Sequence, residues 1–154
     1  MRYSENIHKA GANLLALIND ILDFSRIEAG QVDIVNENYR LDALLEDVIN
    51  LIQYSAKEKG LSFETNISSK LPRGLFGDVL RIRQIMVNIL SNAVKYTSEG
   101  RVILSVSQED VSNNGTTLKI EVRDTGIGIK EEDMQKLFTN FQRLDITKNR
   151  SVEG

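Results

Sequence analysis

Residues 78–97 read Asp-Val-Leu-Arg-Ile-Arg-Gln-Ile-Met-Val-Asn-Ile-Leu-Ser-Asn-Ala-Val-Lys-Tyr-Thr. Ile82, Ile85, Met86, Ile89, Leu90 and Ala93 recur at the spacing of a single helical face, which predicts a helix with those six turned to a core. Asp78 stands ahead of the run as an N-cap, and the helix extends to about Tyr96. At about 100° per residue, Asn88, Asn92 and Lys95 fall within roughly 60° of one another, with Tyr96 at the boundary. Two carboxamides and an ammonium on one face can hold a metal through oxygen and phosphates through charge. The same residues also suit an ordinary solvated helix face, and alone they do not decide between the two.

Downstream, two runs alternate apolar and polar residues. Val102, Leu104 and Val106 form one; Leu118, Ile120 and Val122 form the other. The turn-rich Asn113-Asn114-Gly115 between them predicts an antiparallel hairpin. The second strand runs into Asp124-Thr125-Gly126-Ile127-Gly128, followed by a short helix around Glu131 to Leu137. A carboxylate at a strand end can accept a hydrogen bond from an exocyclic amine such as that of adenine. Glycines there let backbone approach a planar ring. The loop lacks the further glycines, at fixed offsets, of a Rossmann or Walker motif.

Upstream, Leu61, Phe63, Thr65 and Ile67 alternate as a half-buried strand, and Leu71-Pro72 interrupts regular structure. Before it, a helix is predicted from Asp42, its N-cap, to Lys59, with Leu44, Leu45, Val48, Leu51 and Ile52 on one face and Gly60 at its end. Val32 and Ile34 give a weak strand signal. Residues from about Ser4 to Ala29 read as a long helix with a stripe of Leu14, Leu17, Ile18, Ile21 and Leu22. Gly30 sits where such a helix stops. The pattern is α+β: a long helix over residues 1–30, then helices packed on one face of a small sheet over residues 31–154.

Composition agrees with a globular chain. Of 154 residues, 41% are hydrophobic and 27% charged, so a core is available without a disordered bias. The net charge of -3 gives no reason to expect a nucleic-acid or anionic-membrane surface. The absence of cysteine excludes disulfides and thiolate metal sites and fits a reducing compartment, so the expected setting is cytoplasmic, as a free protein or as the cytoplasmic part of a membrane sensor. No apolar run approaches the roughly 20 residues that span a bilayer.

Taken together, the motifs are specific. Asn88 to Thr97 resembles the N-box of sensor histidine kinases, and Asp124 to Ile129 their first glycine box. Leu137-Phe138-Thr139-Asn140-Phe141 is similar to their F-box. Arg26-Ile27-Glu28-Ala29-Gly30 is similar to the exit from their second dimerisation helix. The resemblance implies a two-layer α/β sandwich of the GHKL (Bergerat) type, binding ATP and Mg²⁺ between helix and lid. It makes Asn92 the Mg²⁺ ligand and places Asn88 and Lys95 near the phosphates, Tyr96 against the nucleotide and Asp124 on the adenine amine. Gly126 and Gly128 would form the close backbone and lid hinge. Phe138 and Phe141 would anchor the lid, and Arg143 would reach the terminal phosphate. Asn88, Lys95 and Arg143 are thus the expected catalytic residues.

The reaction implied is transfer of the γ-phosphoryl group to a histidine on another helix, with a response-regulator receiver domain as partner and a homodimeric parent. The family's acceptor histidine is followed by an acidic residue and a proline. His8, the only histidine, is followed by Lys9-Ala10-Gly11-Ala12, so the acceptor is expected outside this chain. Gly154 falls where the family's second glycine box begins, and the chain is expected to be partial there. Related ATP hydrolases, such as gyrase and the heat-shock chaperones, place a glutamate base where this chain has Asn88, and an amide cannot take a proton from water. A dimerisation module with a vestigial site is the remaining alternative, to be separated by Mg²⁺-dependent protection by ATP against unfolding.

Overall fold

The computed structural model describes residues 11, 14, 15, 18, 21, 22, 25–27, 29–31, 33–112 and 115–134. Tertiary contacts divide the chain into two units, Met1–Val35 and Asn36–Gly154. In the first, the described residues from Gly11 to Ile27 are helical, and Leu14, Ile18, Ile21 and Leu22 are exposed. Gly30 ends the helix at φ +63°, with its N–H on the Ile27 carbonyl and that of Gln31 on Arg26. This pairing satisfies the last carbonyls of the helix and calls for a residue without Cβ strain. Leu17 and His8 lie outside the described residues.

The second unit runs β1 (Glu37–Arg40), α1 (Leu41–Glu58), β2 (Ser62–Ile67), β3 (Gly74–Gly77), α2 (Val79–Tyr96), β4 (Arg101–Ser112), β5 (Gly115–Asp124) and α3 (Glu131–Met134). Helix α1 repeats Leu41, Leu44, Leu45, Val48, Ile52 and Ala56 at i, i+3, i+4, i+7, i+11 and i+15, and all six are buried. Helix α2 sets Met86, Leu90, Ala93 and Val94 against them. The inward residues of β4, Val102, Leu104 and Val106, complete the core as the other layer. Each fully buried aliphatic side chain contributes roughly 1.5–3 kcal/mol relative to exposure.

The three-stranded sheet has the order β2-β4-β5. β4 and β5 are the expected antiparallel hairpin, closing at the Ser112–Gly115 pair. β2 is parallel to β4, so the chain between them must cross over, and it does so through β3 and α2. That crossover lays α2 over the sheet and brings its C-terminus to the end of β4 where β5 also ends.

Several expectations are corrected. Asp42 is not the N-cap of α1; it lies inside the first turn, and Arg40 precedes the helix without a side-chain cap. The reason is that β1 pairs with β3 from Glu37–Gly77 to Arg40–Gly74 and runs straight into the helix, where Arg73 accepts the Leu41 N–H at 2.9 Å. Asp42 instead takes Arg40 Nε and Nη2 at 3.0 and 2.6 Å. This hydrogen-bonded pair on the surface holds the Asp42 carboxyl below the ordinary carboxylate range. Among the described residues the first strand is Glu37–Arg40; Ile34 is not in a strand, Val32 lies outside the described residues, and β3 was not foreseen. Leu51, Ile85 and Ile89 are exposed, because each helix buries a stripe narrower than its apolar face. Thr65 and Ile67 are likewise exposed in β2, an outer strand of its sheet. By contrast Asp78 caps α2 as expected, its Oδ1 accepting the Arg81 N–H at 3.0 Å.

Candidate nucleotide site

The Asn-rich helix and the glycine loop meet at the last residue of α2. The Tyr96 carbonyl accepts the Ile127 N–H at 3.3 Å. Gly126 fits against that same carbonyl: a Cβ there would stand 2.5 Å from Tyr96 O, 2.8 Å from Asp124 Oδ1 and 3.0 Å from Thr97 Oγ1. Gly128 has a different need, since its φ is +68° and open space surrounds it. One glycine supplies room and the other a left-handed backbone.

Asp124 closes β5 and is exposed. Its Oδ1 accepts the Gly126 N–H at 2.9 Å, which pins the carboxylate to the loop. Its Oδ2 takes no hydrogen bond from the described residues, so it has capacity for a donor such as an amine. Thr125 ties the loop to the start of β4: its hydroxyl oxygen accepts the Arg101 N–H at 3.0 Å and its backbone N–H reaches Arg101 O at 3.2 Å. Gly100, at φ +107°, leaves the space that the Thr125 hydroxyl fills.

Along α2 the polar stripe has the expected placement. Asn88 and Asn92 are exposed, while Lys95 and Tyr96 are half-buried. The Lys95 ammonium lies 5.5 Å from the centroid of the Tyr96 ring, within cation–π range. From Asn88 to Lys95 the stripe covers roughly 10 Å at 1.5 Å per residue and ends beside the loop. Ile85 and Ile89, on an exposed shoulder within about 100° of Asn88, border it with apolar surface. Phe138, Phe141 and Arg143 lie outside the described residues.

These residues suit a nucleotide with a hard cation. Among the described residues no group of three His, Cys, Asp or Glu is placed to hold a metal ion. A single amide oxygen, such as that of Asn92, fits a cation held mainly by phosphate and water, the habit of Mg²⁺.

Thr97 and Lys59 were not singled out by sequence. Thr97 is fully buried, and its hydroxyl donates to Ala93 O at 2.7 Å. Lys59, at the end of α1, donates to Val94 O and Lys95 O at 2.8 and 2.6 Å. Thr97 bonds locally, four residues back, but no local pattern marks Lys59, whose acceptors lie on a distant element.

The fold and the site define a class. The family described as histidine kinase-, DNA gyrase B- and HSP90-like ATPases matches residues 77–154, and the chain belongs to it. Within that family it is similar to sensor histidine kinases. It is 39% identical over 148 residues to signal transduction histidine-protein kinase BarA of Escherichia coli (strain K12), covering 96% of this chain and 16% of that protein. It is 39% identical over 152 residues to sensor protein GacS of Pseudomonas syringae pv. syringae, covering 99% of this chain and 17% of that one. The chain thus spans a small part of the length of these relatives. The crystal structure of full-length ShkA in complex with AMPPNP superposes with a TM-score of 0.76 at 34% identity, covering 89% of this chain and 28% of that one. The two-layer arrangement is the ATP-binding fold of histidine kinases. No helix among the described residues is long and apolar enough to cross a membrane.

Proposed function

We propose that this chain is the ATP-binding catalytic part of a two-component sensor histidine kinase, which passes the γ-phosphoryl group of ATP to a histidine outside the chain. The observation that carries the reading is the seating of Gly126 on Tyr96, which puts the Asp124 carboxylate at the end of the Asn88–Asn92–Lys95 stripe. Asp124 accepts the adenine amine through Oδ2 while Oδ1 stays on the Gly126 N–H. Tyr96 and the apolar shoulder of Ile85 and Ile89 flank the nucleotide. Asn92 gives its amide oxygen to Mg²⁺, which neutralises phosphate charge when bound. Asn88 donates to phosphate oxygens through its amide and Lys95 through its ammonium. Phe138, Phe141 and Arg143 are assigned the lid anchors and the terminal phosphate contact. The work of such a site is positioning and charge neutralisation.

Similarity to histidine-protein kinase BarA and sensor protein GacS supports a kinase parent, for which we propose a response-regulator receiver domain as partner and a homodimeric state. Titration of the full polypeptide with AMPPNP, with and without Mg²⁺, tests the binding step. With the parent's acceptor-histidine segment added, labelled ATP should then leave acid-labile, histidine-bound phosphate on that segment. Nucleotide binding followed only by release of inorganic phosphate would favour an ATP hydrolase instead.

A further inference from the structure

The last four carbonyls of an α-helix lack intrahelical donors. In α2 these belong to Ala93, Val94, Lys95 and Tyr96, and each of the four is met. Thr97 Oγ1 donates to the first, Lys59 Nζ to the second and third, and the Ile127 N–H to the fourth. Lys59 and Ile127 come from outside the helix, one from α1 and one from the glycine loop.

Lys59 is itself fixed in place. It is the C-cap of α1, and Gly60 follows at φ +74°. The Gly60 N–H bonds to Lys57 O at 3.0 Å and the Leu61 N–H to Ala56 O at 2.9 Å, while the buried Leu61 and Ala56 side chains anchor the turn. The ammonium thereby stands at the negative end of the α2 dipole, where a cation is favoured.

We propose that Lys59 is a positioning residue for the nucleotide site, acting through the carboxyl-terminal turn of α2. That turn carries Lys95 and Tyr96, and its final carbonyl is the seat of Gly126 and Ile127 beside Asp124. Lys59 holds the turn from one side as the loop binds it from the other. Without the ammonium, two carbonyls turn to water, the turn frays, and the loop loses a fixed seat. The role rests on the nucleotide-binding reading given above.

The test uses the full polypeptide as wild type, Lys59→Met and Lys59→Arg, with AMPPNP and Mg²⁺ as the probe, well below each melting temperature. Lys59 is exposed, so neither variant disturbs the core. Lys59→Met should weaken AMPPNP binding by roughly three- to tenfold, the scale of one or two hydrogen bonds near the surface. Lys59→Arg, with several donors, should restore it to within about twofold. Amide hydrogen exchange should quicken at Ile127 in Lys59→Met but not at Val102, Leu104 or Val106 in the central strand. Unchanged affinity with unchanged Ile127 exchange would overturn the proposal, as would equal quickening in the strand, which marks general destabilisation. Failure of the wild type to bind AMPPNP overturns the functional reading instead, and the positioning role then stands or falls on the Ile127 exchange.

Discussion

The Tyr96 carbonyl oxygen and the α-carbon of Gly126 approach so closely that an added Cβ would stand 2.5 Å from the oxygen. Because the Ile127 N–H bonds to the same oxygen, the loop is fastened to the helix at two consecutive residues. The helix brings the amides and the ammonium; the loop brings the carboxylate. Their relative placement therefore depends on this carbonyl at the end of α2 together with the Thr125 bonds that tie the loop to the start of β4.

Gly126→Ala and Gly128→Ala should behave differently. The first must displace backbone, since the obstructing atom is a carbonyl oxygen, and should destabilise by about 1–3 kcal/mol as well as weaken nucleotide binding. The second strains a left-handed residue in open space and should cost roughly 1–2 kcal/mol without moving the loop off Tyr96. Denaturant midpoints of the two variants, with nucleotide titrations, check this. Full nucleotide affinity in Gly126→Ala would show that the seat is not needed.

What could be read in the sequence was local. The period and cap of α2, the β4–β5 hairpin and the two glycines at helix ends follow from neighbours within a few residues. β3 escaped because Gly74-Leu75-Phe76-Gly77 is short, bounded by glycines and stabilised only by pairing with distant β1. The parallel union of β2 with β4 joins segments some forty residues apart and leaves no local trace. Periodicity also over-counted the core: Ile85 and Ile89 have the spacing of buried residues yet are 59% and 49% exposed, beside the polar stripe. Lys59 was illegible for the same reason as β2, since its acceptors are 35 and 36 residues away.

The core correction has a direct test. Leu90, fully buried between the layers, should lose about 2–5 kcal/mol of stability on change to Ala. Ile89→Ala, one residue earlier, should lose less than about 1 kcal/mol. Equal losses in urea denaturation would mean that Ile89 is covered in the folded protein.

Asn92→Ala should act on the cation rather than on the nucleotide base. Binding of AMPPNP in excess Mg²⁺ should weaken, while binding in chelator should be little changed. The Mg²⁺ dependence of affinity should shrink by about tenfold or more, the usual effect of losing a charge-assisted contact. If Mg²⁺ strengthens binding as much in the variant as in the wild type, the amide at this position is not a ligand.

Asp124→Asn isolates the base-recognition step. The Oδ1 position accepts the Gly126 N–H, and a carboxamide oxygen can keep that bond, so the loop should remain seated on Tyr96. The other position then changes from a charged acceptor into an NH₂ donor, which faces the donor amine of adenine with a like group. The expected loss is about 1.5–3 kcal/mol of affinity for ATP analogues, from the lost charge-assisted bond. An inosine nucleotide carries a carbonyl in place of that amine, so its affinity should fall less or rise. Comparing adenosine and inosine triphosphates on wild type and variant separates base recognition from a general loss of folding. Parallel losses for both nucleotides would remove Asp124 from the base and make it a structural residue of the loop.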